Sequence, residues 1–110
     1  MIYNVELMNF GNGEIRPVEI PDGAIVTLDM IYSCGQNNSF NRHLNMPSVS
    51  KGDIIHFEGK KFIVKSIGFE ELDELKYLTF HWLLRKSLDG RRKYTDLMWE
   101  IFREEAFEYC

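Results

Sequence analysis

The side chains best able to do chemistry in this chain are three histidines, His43, His56 and His81, and two cysteines, Cys34 and Cys110. Zinc sites draw ligands as pairs a few residues apart, because side chains so spaced can meet one ion. No such pair is present, so no metal centre is expected. Nucleophilic catalysis has no better footing. No serine stands in a strand-turn-helix elbow, and no glycine-rich loop is present to cradle a phosphate. Glu70, Glu71, Asp73 and Glu74 crowd together, but an acid–base pair needs environments that drive two pKa values apart, which a solvated run does not provide. The expectation is a non-enzyme without catalytic residues or cofactor.

Two other groups point to binding. Residues 33–50 hold four Asn, four Ser, one Gly and one Pro, with Phe40, Arg42, Leu44 and Met46 set among them. A long structureless connection of this kind tends to be functional or unordered. Apolar side chains on a polar loop have little to bury against locally, and aromatic, Met and Arg side chains are enriched at interface cores. These four are the first candidates for a partner-binding surface. Trp99 and Phe107 could extend that surface, and after the loop the next candidates for partner binding are Arg91, Arg92, Lys93 and Tyr94 with Trp99; Arg85, Lys86, Arg91, Arg92 and Lys93 cluster around a turn with Tyr94 beside them. Cations next to an aromatic ring can hold a nucleic-acid strand, so Arg85 to Tyr94 is the only stretch that suggests nucleic acid. The opposite electrostatic idea, a decoy for DNA, would use Glu70, Glu71, Asp73, Glu74, Glu100, Glu104, Glu105 and Glu108. Eleven basic side chains share that half of the chain with twelve acidic ones, which interrupts the array.

The elements that must position these residues follow from periodicity. Ile2 to Met8 and Glu14 to Ile20 read as strands joined at Phe10-Gly11-Asn12-Gly13, with Pro17 placing the second at a sheet edge or breaking it there. After Pro21-Asp22-Gly23, the apolar run Ala24 to Tyr32 predicts a third strand. Ile54 to Phe57 and Phe62 to Phe69 form a hairpin about Glu58-Gly59-Lys60-Lys61, and residues 70–74 make a charged connection. Leu75 to Lys86 alternates, Leu78, Phe80, Trp82 and Leu84 against Tyr77, Thr79, His81 and Leu83, which predicts a long strand over a rival helix. A helix is expected from about Asp96 to Glu108. The predicted core contains Ile55, Phe57, Leu78, Phe80, Trp82, Leu84 and Ile101.

Length and charge bound the rest. A chain of 110 residues with 45% hydrophobic and 27% charged residues is one ordinary domain, spanning 1–110. Its net charge of -4 argues against binding nucleic acid through the whole surface. No apolar run approaches the ~20 residues of a membrane span, and Met1 to Glu6 has no basic stretch leading into an apolar one. The expectation is a cytoplasmic protein with reduced thiols and no membrane contact.

The expected fold is α+β: a bent antiparallel sheet of five or six strands, barrel-like, with one C-terminal helix packed on it. The segment Gly52 to Val64 is similar to small SH3-like barrels, a likeness that implies an architecture and no activity. The functional expectation is a small intracellular protein that binds and modulates another protein, from host or virion, of the kind viruses and mobile elements encode. A self-associating assembly component is the alternative, and a nucleic-acid-binding barrel or acidic decoy comes after it.

Overall fold

The computed structural model describes residues 1–37, 46–90 and 93–102, with side chains at all of these except 99, 101 and 102. The fold is α+β. Strands β1 (Ile2–Leu7) and β2 (Glu14–Glu19) precede helix α1 (Leu28–Cys34); β3 (Ile54–Phe57), β4 (Lys60–Val64) and β5 (Phe69–Leu72) follow, then α2 (Glu74–Asp89) and α3 (Tyr94–Phe102). One antiparallel sheet runs in the order β2-β1-β3-β4-β5.

Turn chemistry fixes the two hairpins. Asn12 and Gly13 take φ of 55° and 84°, and Glu58 and Gly59 take 52° and 75°. Two successive left-handed residues match the strand twist, and Gly carries the second at no steric cost. The registers that follow set Glu6 opposite Ile54, Ile54 opposite Ile63, and His56 opposite Lys61, which in turn lies opposite Leu72.

The pleat then sorts side chains onto two covered faces. On one, Met8, Ile54, Ile63 and Leu72 pack with Phe80, Leu83 and Leu84 of α2 and with Tyr94 and Met98 of α3. On the other, Val5, Leu7, Val18, Ile55 and Val64 pack with Ile31 of α1 and with Ile20 and Val49. Arg16 is buried on this second face, and its Nη1 donates to the Pro47 carbonyl at 2.7 Å.

Several expectations are corrected. Five strands and an antiparallel sheet hold, and β2 with Pro17 is an edge as predicted. The sheet is open, with β2 and β5 at its two edges, so the expected barrel-like, SH3-like form is not confirmed. Three helices are present among the described residues where one was expected. The predicted strand from Ala24 to Tyr32 is absent: Thr27 caps α1 by accepting from the Met30 amide at 3.2 Å, with Asp29 in its first turn. The predicted strand from Leu75 to Lys86 is the helix α2, capped by Asp73 through the Lys76 amide at 2.8 Å. The charged connection over 70–74 supplies β5 instead. Helix α3 starts at Tyr94, and residues 103–108 of the expected 96–108 helix lie outside the described residues. Ile55, Phe80 and Leu84 are core residues as predicted and Phe57 is half-buried, whereas Leu78 and Trp82 are exposed; the Ile101 side chain lies outside the described set.

Candidate functional site

The α2-facing side of the sheet carries one charged side chain at its heart. Glu6 follows the strand alternation onto that face, where its side chain is 4% exposed. His56 reaches the same face two residues after Ile54, and α2 crosses above with Tyr77 and His81 one turn apart. The four converge. His56 Nε2 donates to Glu6 Oε1 at 2.5 Å, His81 Nε2 to Oε2 at 2.5 Å, and the Tyr77 hydroxyl to Oε1.

Burying a carboxylate unpaired would be prohibitive. Three donors offset that cost, since hydrogen bonds to a charged group contribute about 1.5–3 kcal/mol each. Burial, and then the bond to and charge of Glu6, push the Tyr77 hydroxyl above the ordinary tyrosine range, so Tyr77 stays a donor. Its ring stands edge-on to both imidazoles, with centroids at 4.6 Å (His81) and 6.3 Å (His56). Lys61, the cross-strand neighbour of His56, holds its ammonium 4.6 Å from the Tyr77 centroid.

The arrangement fixes the imidazole tautomers. A carboxylate can only accept, so both rings carry a proton on Nε2 and keep Nδ1 for another partner. Neither Nδ1 is bonded within the described residues, and neither is a buried atom lacking a partner. Both are therefore open to water, in side chains 36% (His56) and 32% (His81) exposed. Among the described residues no group of three or more His, Cys, Asp or Glu is disposed to hold a metal ion.

A second buried carboxylate serves the framework. Asp53 Oδ1 accepts from the Asn9 amide at 2.9 Å, and Oδ2 from the Ser50 amide at 2.8 Å. Asn9 Nδ2 donates in turn to the Lys51 carbonyl at 3.0 Å. Burial pushes the Asp53 carboxyl up to about 6, against amide bonds from Asn9, Ser50 and Met8 that draw it down.

The outer surface of α2 is a third feature. Leu75, Leu78 and Trp82 follow the i, i+3, i+7 spacing of one helix stripe, and they are 75%, 56% and 51% exposed. Lys86, one turn beyond Trp82, holds its ammonium 5.3 Å from the Trp82 ring. Arg85 beside it is exposed and has no carboxylate partner among the described residues.

The sequence-predicted binding residues fare unevenly. Phe40, Arg42, Leu44, Arg91, Arg92 and Phe107 lie outside the described residues, as does the Trp99 side chain. Met46 packs, half-buried, against the α1-side core, and Asn37 Nδ2 closes the loop base on the Met46 carbonyl at 2.7 Å. Lys93 is exposed. Tyr94 is buried, its hydroxyl donating to the Gly52 carbonyl at 3.3 Å, so it has no open face on which a base could stack.

The Glu6 cluster and the α2 stripe were both missed by sequence reasoning. The signal for the first was a lone carboxylate in Val5-Glu6-Leu7 together with lone histidines on two otherwise apolar elements. Comparison with protein-family models, with curated proteins and with solved structures finds no match to this chain. No helix among the described residues is long and apolar enough to cross a membrane.

Proposed function

We propose that this chain is a small intracellular protein that binds and modulates another protein, and that it docks through the outer face of α2. The observation that carries this reading is the stripe Leu75, Leu78 and Trp82, three large apolar side chains each more than half exposed on a helix whose opposite face is packed. Large apolar side chains aligned on one surface mark interaction sites far more often than scattered ones do, and Trp is enriched among the residues that dominate binding energy.

Charge describes the partner. At the acidic end of α2, Asp73 is committed to the helix cap and Lys76 to Glu70 at 3.7 Å. At the other end Arg85 and Lys86 adjoin the stripe, and the sequence continues through Arg91, Arg92 and Lys93 with Asp89 between. An apolar helix bearing carboxylates on its flanks fits such a surface. A second copy of this chain fits less well, because the carboxylates on its α2 are only Glu74 and Asp89, at opposite ends of the helix, with Asp73 committed to the cap.

The test uses the partner recovered on the wild-type chain and then purified. The pair Leu78→Lys and Trp82→Lys is expected to lose at least about tenfold in affinity, the effect of losing one central anchor, with an unchanged thermal midpoint. Arg85→Glu with Lys86→Glu is expected to weaken binding at low salt and much less at high salt. Full affinity in the apolar pair would overturn the reading. So would concentration-dependent self-association of the wild type that the same pair abolishes.

A further inference from the structure

Helix α2 covers only part of its face of the sheet. It begins directly after β5 and ends beside the β1–β2 turn, where a Cβ on Gly13 would come within 2.8 Å of Leu84 Cδ2. That oblique course leaves the far ends of β1 and β2 bare on this side. Strand alternation identifies what lies there. Ile2 and Asn4 share the face of Glu6, and Ile15, Pro17 and Glu19 lie opposite Glu6, Asn4 and Ile2. All five are exposed, Ile2 at 66% and Ile15 at 46%, whereas Val5, Arg16 and Val18 of the reverse face are buried. Ile15, Pro17 and Ile2 therefore form an apolar strip with no covering element among the described residues. The strip is continuous with α2. His81 bonds Glu6, the cross-strand neighbour of Ile15, so the side of α2 that carries His81 borders it. Leu78 and Arg85 stand one turn to either side of His81 on that helix face, and both are exposed.

We infer that an amphipathic helix of the partner lies in this trough beside α2, its apolar side chains on Ile2, Ile15, Pro17 and Leu78, a carboxylate at Arg85 and a cation at Glu19. The inference rests on the reading that α2 docks another protein, and it adds the bare sheet to the footprint. A helix is the occupant that fits. Sheet faces are covered by helices in layered folds, and two strands ~4.8 Å apart present about 10 Å, the width of one helix. An added strand is disfavoured, because Pro17 denies the β2 edge an amide donor. Charge sets the direction. Arg85 stands toward the β1–β2 turn, and Glu19, opposite Ile2, stands at the far end. Neither has an ionic partner among the described residues, so a helix carrying opposite charges at its two ends is held in one orientation.

The probe is a synthetic helical peptide of about 14 residues, long enough to span the ~20 Å of β1. It is blocked at both termini, with leucines at helical spacing, glutamates at one end and lysines at the other. A nitroxide at its lysine end is expected to broaden the methyl resonances of Ile2, and one at its glutamate end those of Leu88, one turn beyond Arg85. The pair Ile2→Lys and Ile15→Lys, both at exposed positions, is expected to keep its circular dichroism and to lose at least about tenfold in affinity. Arg85→Glu is expected to weaken binding several-fold, and a peptide with lysine in place of glutamate is expected to restore it. Absence of saturable binding, broadening of Leu75 and Trp82 without Ile2, or wild-type affinity in the isoleucine pair would each overturn the trough. So would self-association of the wild type that the isoleucine pair abolishes, since a second copy would then be the occupant. The purified partner separates the two surfaces. Full affinity in the isoleucine pair beside a loss in Trp82→Lys would overturn the trough alone, and the reverse pattern would overturn the outer stripe alone.

Discussion

At the scale of single residues, two buried carboxylates organise the chain, and they respond differently to change. Glu6 joins β1, β3 and α2 through three donors, so Glu6→Leu leaves Tyr77 and two imidazoles facing an apolar side chain. We expect a loss of about 2–4 kcal/mol, read as a lower urea midpoint, because several hydrogen bonds to one charge disappear together. Asp53 gives a pH signature instead. Its carboxyl stands at about 6 in the folded chain against an ordinary 3.8. Between those values the folded protein holds a proton that the unfolded chain has released, so stability falls as pH rises through that window. At 1.36 kcal/mol per unit the contribution is about 3 kcal/mol. Asp53→Asn is expected to remove this slope from a series of unfolding curves between pH 4 and 6. It is also expected to lower stability by about 1–3 kcal/mol, since an amide nitrogen would meet one of the backbone N–H groups that Asp53 now accepts.

At the scale of elements, α2 explains both what the sequence showed and what it concealed. The hairpins were legible because Asn-Gly and Glu-Gly turns and alternating apolar residues are local signals. The period-2 alternation over Leu75 to Lys86 was misleading because apolar residues surround this helix. Tyr77, Phe80, Leu83 and Leu84 line the inner side, and Leu75, Leu78 and Trp82 the outer, so neither period stood out. The helical cue was Asp73, a cap placed directly before the run. In the same way Thr27, inside the stretch Ala24 to Tyr32 read as a strand, was the cap of α1. The Glu6 site was not legible as a site, since it unites positions 6, 56, 77 and 81 and depends on strand register and helix placement. The two faces of α2 should separate under mutation. Leu83→Ala, in the core, is expected to cost about 2–5 kcal/mol, while Leu78→Lys on the outer face should stay within about 0.5 kcal/mol of wild type, both from thermal or urea unfolding.

At the scale of the whole molecule, the sheet lies between α1 on one face and α2 with α3 on the other, and its edges are guarded. Pro17 sits in the middle of β2, which begins at Glu14 and ends at Glu19, and Glu70 and Glu71 sit in β5; Pro and charge on edge strands disfavour pairing with another chain. A single sedimenting species of 13.0 kDa is therefore expected across roughly two decades of concentration, whereas a steady rise in mass would restore assembly as the function. The central claim, that the outer face of α2 receives another protein, is tested most directly by photo-crosslinking in the native cell from single positions. Probes at Leu78 and Trp82 should give one shared adduct larger than a dimer of this chain. A probe at Ile67, which is 91% exposed on the turn between β4 and β5, should give none. Equal adducts from Ile67, or adducts at Leu78 and Trp82 with the mass of two copies alone, would contradict the account.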